Sequence, residues 1–372
     1  MAAMFSAKLV QAGNLRVVLS SSASQFRRGY AIAGPINVGI IGAGRIGRVH
    51  AETLSGNKDA KALIITDVIE AAASKAAADF KIPAHSGNYK DIINNKDIHA
   101  VWICSPSDTH APIIKEAALA GKHIFCEKPV ATDLKGTEEA LAVVKKCGVK
   151  MFLAFQRRFD PNFARIKKAI VSGEIGKLVS VRLCSRDPAP PPVEYVLQSG
   201  GIFKDMAIHD LDMGRFLAGG NAVEVYAIGA NVVDPRIAHL DAPLKYDTAL
   251  TVVKFDNGVT VYIDNCRKAV YGYDQRAEAF GTEGVAMSEN NYPNNVHHWT
   301  KSTVQRDLPL NFFMERYMDA YRNETTAFVN ALLKDEPIIS TGEDGLAALI
   351  LAMAAGKSAI EGRPVKISEI TA

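Results

Sequence analysis

From residue 36 onward, short β-branched runs alternate with stretches whose apolar positions recur every three to four residues. Ile36-Asn37-Val38-Gly39-Ile40-Ile41 is the kind of run that forms a strand buried on both faces. It leads into Gly42-Ala43-Gly44-Arg45-Ile46-Gly47, after which residues 48–54 continue as a helix. Residues 61–66, 98–104, 123–126 and 150–155 read as further strands. Residues 68–80, 111–120 and 137–147 read as the helices between them. Such βα alternation predicts a parallel sheet with helices on both faces. Past residue 156 the period falls to two, over 179–185 and within 222–230, 248–255, 259–265 and 276–280. Asp256-Asn257-Gly258 is the turn of a hairpin between two of these runs. Strands gathered after a βα half mean α+β packing, with alanine- and leucine-rich helices over 323–333 and 344–360.

The glycine pattern gives the first half its chemistry. In a strand–turn–helix context, G-x-G-x-x-G uses the first Gly for a tight turn and the second for close approach of a pyrophosphate. The third allows close helix packing, with helix N–H groups facing the phosphates. Asp67 ends the second strand, where an acid accepts from both adenosine ribose hydroxyls and repels a 2′-phosphate. A bond to such a charged acceptor contributes roughly 1.5–3 kcal/mol. NAD is therefore the expected cofactor. Asp67 as the N-cap of the helix over 68–80 fits the same position and remains open. Ligands of parallel sheets sit at the carboxyl ends of strands. This puts Gly42, Gly44, Arg45, Ile46, Gly47 and Asp67 on one rim with Ser105, Pro106, His110, Glu127 and Lys128, all read as cofactor-binding. The first half, 34–155, reads as an NAD-binding Rossmann domain, and 156–372 as the substrate-binding and oligomerisation domain.

The chain's 372 residues exceed the usual single-domain size, in keeping with two domains. Lys+Arg 43 against Asp+Glu 40 is too balanced for a general nucleic-acid or membrane-surface binder. No uncharged apolar run approaches the ~20 residues that cross a bilayer. The five cysteines form no Cys-x-x-Cys pair and imply a reducing compartment without structural disulfides. Residues 1–33 read as a transit peptide or disordered tail. Lys8, Arg16, Arg27 and Arg28 lie among serines, and the first acid is Glu52. That composition points to the mitochondrial matrix, with the cytoplasm as the alternative.

Oxidation of a secondary alcohol needs a base for the hydroxyl proton and a donor for the oxygen, beside the nicotinamide. Asp205 and His209 lie four apart in a helical pattern and so share a face. A carboxylate that fixes one imidazole nitrogen lets the other take a proton, and histidine is poised for this near neutral pH. Lys128, on the cofactor rim, can hydrogen-bond the reacting oxygen. The competing reading of Asp205 and His209 is a surface pair. No second histidine stands at metal-ligand spacing, so no metal is expected.

Taken together, Gly42–Gly47 with His50, Ser105-Pro106 with His110, and Glu127-Lys128-Pro129 resemble the glucose–fructose oxidoreductase/inositol dehydrogenase/rhizopine-catabolism (Gfo/Idh/MocA) family, over residues 36–365. Gln156-Arg157-Arg158-Phe159-Asp160, Ser185-Arg186-Asp187-Pro188 and the stretch from Gly200 to Asp210 look like its inositol 2-dehydrogenase branch. The resemblance implies a Rossmann domain followed by an α+β domain with a large open, mainly antiparallel sheet, and assembly as a homo-dimer or homo-tetramer. It implies that Lys128 acts at the reacting hydroxyl, with His209 as proton acceptor and Asp205 as its orienting partner. It also implies a cis peptide at Pro129, and that Arg157, Asp187 and Tyr273 line a polyol pocket with these three. Ser185 stands where some relatives carry His. The implied activity is NAD-dependent oxidation of a small-molecule polyol, myo-inositol to its 2-keto inosose. The alternatives are a sugar or dihydrodiol dehydrogenase, NADP-linked or not, and a non-catalytic NAD-binding regulator.

Overall fold

The computed structural model describes residues 34–240 and 244–371, so the leader expected over 1–33 lies outside the described residues. The first sheet holds six parallel strands: β1 (Ile36–Ile41), β2 (Ala60–Thr66), β3 (Ala84–Ser86), β4 (Ala100–Ile103), β5 (His123–Glu127) and β6 (Met151–Ala154). Their order is β3-β2-β1-β4-β5-β6, so the direction of winding reverses between β1 and β4. A crevice opens at such a reversal. The connecting helices are α1 (Arg45–Ser55), α2 (Glu70–Phe80), α3 (Lys90–Ile93), α4 (His110–Leu119) and α5 (Leu134–Cys147). β3 is not foreseen, because three residues, two of them exposed, carry no period. Asp67 is not the N-cap of α2. Its Oδ1 accepts from Ile69 N at 2.9 Å, which delays the helix to Glu70.

Aromatic rings fill the layer beneath β4, β5 and β6. Trp102 stacks on Phe125 at 4.9 Å and Phe125 on Phe152 at 5.2 Å. Phe328 of a later helix tilts against all three. Rings at equivalent positions of neighbouring strands fall into register, which is why they form a column.

After α6 (Pro161–Val171) and β7 (Leu178–Arg186) come three short helical pieces: α7 (Val193–Gln198), α8 (Ile202–Asp205) and α9 (Ile208–Ala218). The second sheet is then completed by β8 (Ala222–Ala230), β9 (Thr248–Phe255), β10 (Thr260–Cys266), β11 (Asp274–Gly281) and β12 (Val285–Ser288). Two-residue pairing of Val365 and Lys366 closes its other edge. Every neighbouring pair in it is antiparallel except β7 with β10. One face is buried against α9 and against a long helix, Gly342–Glu361, started by a capping box between Thr341 and Asp344. That helix also packs on α5 and β6 of the first sheet and ties the two sheets together. The other face is open.

The helical pattern over 205–209 is where expectation and structure part. Ala207 N reaches back five residues to Ile202 O, and His209 N only three to Met206 O. The register slips between α8 and α9, so residues four apart no longer sit one above the other.

Candidate active site

β1 ends at Ile41, and Gly42 turns the chain at φ +103°, where an L side chain is strained. A Cβ on Gly47 would lie 2.0 Å from Gly42 O, so the third glycine is fixed by helix–strand contact. A Cβ on Gly44 would meet nothing within 4 Å. α1 has no side-chain cap and no acid in its first turn, which leaves its leading N–H groups to a ligand. Asp67 Oδ2 accepts from Ala43 N at 2.8 Å, which brings the acid against the turn. Open space at Gly44, uncapped N–H groups and an acid at the end of β2 fit a dinucleotide. These residues would hold its pyrophosphate and ribose.

The rest of the rim is held together differently from expectation. His110 was read as a cofactor contact. It is buried, with Nδ1 2.7 Å from Pro129 O and Nε2 2.8 Å from Ser105 O, so neither nitrogen is free to reach a ligand. Burial also lowers its pKa despite the two carbonyls. The Glu127 carboxylate is likewise engaged, accepting from His50 Nε2 at 2.8 Å. Ser105 Oγ pairs with Thr109 Oγ1 at 2.6 Å. Pro106 leads into the turn that starts α4, and the Lys128–Pro129 peptide is cis. Arg45 lies over the Phe312 ring at 5.6 Å, and Ile46 packs between the cores of the two sheets.

Lys128 crosses from this rim toward α8. Its Nζ donates to the main-chain carbonyl of Asp205 at 3.0 Å and lies 3.9 Å from Asp205 Oδ1. The Asp205 carboxylate accepts from Tyr195 OH at 2.7 Å and from Arg267 Nη2 at 3.1 Å. It does not hold His209, and this corrects the expected Asp–His pair; the register slip between α8 and α9 is the reason. His209 Nδ1 is buried with no partner. Burial, reinforced by the positive charges of Lys128 and Arg157, drives its pKa well below 6.5, so the imidazole is neutral.

Arg157 is buried and bonded through Nη1 to Asp210 Oδ1 at 2.6 Å and to Ser185 Oγ at 2.7 Å. Asp210 also accepts from Ser185 Oγ at 2.6 Å and Asn265 Nδ2 at 2.9 Å. Arg157 Nε is left without a partner, as are Asn265 Oδ1 and Gln275 Nε2 beside it. Arg157 thus serves first as a buried ion pair. Asp187, beside this network, has its carboxyl pushed up to about 6 by burial and by the charges of Asp205 and Asp210, against Arg267 and Arg157. The Tyr273 ring stands edge-on to Phe312 and Tyr317, at 6.1 and 6.0 Å, and feels the charges of Arg157 and Asp187.

Lys128, Asp187, Asp205, His209, Arg157 and Tyr273 are therefore brought together from five separate stretches of chain. Sequence reasoning gave Asp210 no role, although it ends the Gly200–Asp210 stretch, and missed Arg267, Tyr195, Asn265 and Gln275. None of these four belongs to a spaced motif; each is a single polar residue at a strand end or helix turn, with its partner 10 to 90 positions away.

Two family models match the chain: an oxidoreductase family with an NAD-binding Rossmann fold over residues 36–155, and the GFO/IDH/MocA C-terminal domain over 163–287. The inositol 2-dehydrogenase of Rhizobium meliloti is 43% identical over 333 residues, 90% of this chain and 99% of that protein. The myo-inositol 2-dehydrogenase of Thermotoga maritima is 40% identical over 335 residues, with 90% and 99% covered. Among solved structures, scyllo-inositol dehydrogenase from Lactobacillus casei with bound NAD(H) and scyllo-inositol is 30% identical, with a TM-score of 0.83 over 90% of this chain and 99% of that one. These relatives are bacterial. That overturns the mitochondrial reading of residues 1–33.

Proposed function

The chain belongs to the GFO/IDH/MocA oxidoreductase family, and from that membership we propose that it oxidises the C2 alcohol of an inositol, with myo-inositol giving the 2-keto inosose. It is an NAD-dependent dehydrogenase. Residues 34–155 form the cofactor domain in this reading, and 156–372 the substrate domain. The observation that carries the proposal is Lys128, just past the end of β5, tethered to the main-chain carbonyl of Asp205, with its charge felt by the buried imidazole of His209, whose Nδ1 has no partner.

Bound NAD supplies the hydride acceptor for the carbinol C–H. Lys128 donates a hydrogen bond to the reacting oxygen and holds the alcohol in line. His209 takes the hydroxyl proton as the C–O bond becomes a carbonyl; a base so placed contributes ~10²–10⁴-fold. Asp205 holds Lys128 in reach through its main-chain carbonyl. Asp187 accepts from vicinal hydroxyls farther round the ring. Arg157 Nε, Gln275 Nε2 and Asn265 Oδ1, on side chains joined through Asp210 and Ser185, and Arg267 Nε, on the partner of Asp205, are buried polar atoms without partners. Unpartnered buried donors and acceptors are costly, and a polyhydroxylated ring can satisfy them.

The test is absorbance at 340 nm with myo-, scyllo- and D-chiro-inositol, glucose and xylose, each with NAD and NADP. Reduction with myo-inositol and NAD is expected. Signal with glucose or xylose but none with inositols would refute the substrate, and NAD binding without turnover on any polyol would favour a regulator.

A homo-oligomer is part of the same reading. The open face of the second sheet exposes Tyr226, Ile228, Leu250, Tyr262 and Phe280, an apolar area of the kind that is covered by another protein surface. Leu250→Glu with Tyr262→Glu should lower the mass seen by light scattering; an unchanged mass would remove this face from consideration.

A further inference from the structure

Lys128 lies between two residues that are each fixed by a buried histidine from a different helix. On its N-terminal side, Glu127 Oε1 accepts from His50 Nε2 at 2.8 Å. The His50 ring is completely buried, edge-on to Phe125 at 4.9 Å and Tyr321 at 5.7 Å, so it has no room to turn. On its C-terminal side, His110 Nδ1 lies 2.7 Å from the Pro129 carbonyl, which accepts from it in the tautomer that carries the ring proton on Nδ1. The other His110 nitrogen faces the Ser105 carbonyl at 2.8 Å, and this ring too is buried.

We propose that His50 and His110 are positioning residues that hold the strand end carrying Lys128 from both sides and lock it to the two loops bordering the cofactor crevice. His50 sits on α1, the helix that opens at the glycine turn, and His110 is the first residue of α4, which follows the Ser105–Thr109 loop. The inference rests on the reading that Lys128 acts at the reacting hydroxyl. A lysine has a long flexible stem, so its ammonium can be placed to within a fraction of an ångström only if its own main chain is fixed. Displacements of about 1 Å cost on the order of 10²-fold in rate. A histidine that merely filled the core would have no reason to end on either neighbour of one functional residue.

Glutamine places its amide nitrogen near the imidazole Nε2 and asparagine near Nδ1, so each contact has a conservative rescue. The experiment compares His50→Leu with His50→Gln, and His110→Leu with His110→Asn, in the full chain. The polyol turned over best in the panel is used, with Lys128→Met as reference. Expected is a fall in kcat of about 10²-fold for each leucine variant. KM should change less than about threefold, NAD affinity by fluorescence titration should be unchanged, and the amide variants should recover most of the loss. If His50→Leu fails to fold, the His110 pair and the comparison of His50→Gln with wild type carry the decision.

Turnover preserved in the leucine variants while Lys128→Met loses it overturns the clamp alone. So does a loss that the amides do not rescue, or one that tracks NAD affinity. Turnover preserved in Lys128→Met overturns the role of Lys128 and the clamp with it.

Discussion

Lys128 Nζ is closer to the main-chain carbonyl of Asp205, at 3.0 Å, than to its carboxylate, at 3.9 Å. In a regular helix that carbonyl would accept from His209 N. Here His209 N bonds Met206 O instead, and the carbonyl freed by the slip becomes the lysine's anchor. The Asp205 carboxylate is left to Tyr195 and Arg267.

Asp205→Asn should therefore act mainly through Arg267, which is 1% exposed and would lose its only anion among these contacts. Breaking such a pair typically costs ~3–5 kcal/mol. Urea unfolding measures it; a change below about 1 kcal/mol would mean that the pair contributes no more than a surface contact.

His209→Ala should reduce kcat by ~10²–10⁴-fold and leave NAD affinity unchanged, since His209 belongs to α9 and supplies none of the glycine-turn groups that would hold the dinucleotide. Retained turnover would dismiss the histidine as base.

The acid limb of kcat/KM should fall near pH 6 and belong to Asp187. Its carboxyl is raised to about 6, so it is ionised and able to accept substrate hydroxyls above that pH and loses this ability below it. The pKa of His209 is shifted the other way, well below 6.5, by burial and by the charges of Lys128 and Arg157. Asp187→Asn should flatten the limb and raise KM; a limb that survives unaltered assigns it to another group.

Gly44→Ala and Gly47→Ala should separate binding from folding. At Gly44 a methyl meets only open space at φ −68°, so the variant should melt like wild type and bind NAD poorly. At Gly47 the methyl would stand 2.0 Å from Gly42 O, and the fold itself should weaken. Calorimetry with NAD titration distinguishes them, and normal NAD affinity in Gly44→Ala would place the pyrophosphate elsewhere.

Glu324 is fully buried with neither carboxyl oxygen bonded, and burial together with the nearby Glu127 charge raises its pKa well above 4.5. The folded chain thus keeps a proton that the unfolded chain releases above about pH 4.5, and stability falls as pH rises from there. Each pH unit costs about 1.4 kcal/mol until the folded group ionises. Glu324→Gln removes the penalty, so its Tm should exceed wild type by several degrees at pH 7 and converge with it toward pH 4. A gap independent of pH would contradict this.

The parallel half was legible because its information is local. β-branched runs, glycines at fixed spacing and an acid at the end of β2 each dictate the backbone around them. The hairpin at Asp256-Asn257-Gly258 was legible for the same reason. A spacing of four between Asp205 and His209 also looked local, but it presumed an unbroken helix. Packing between α8 and α9 decided otherwise, and no residue in that stretch announces the slip. Arg157 with Asp210 and Arg267 with Asp205 pair across 53 and 62 positions. Such partners are chosen by burial, since a charge withdrawn from water must find an opposite charge wherever the sheets bring one. The sequence alone thus determined the strands, the phosphate turn and the set of chemical groups. Which of those groups face one another was left to tertiary packing, because a side chain's neighbours depend on how whole elements come together.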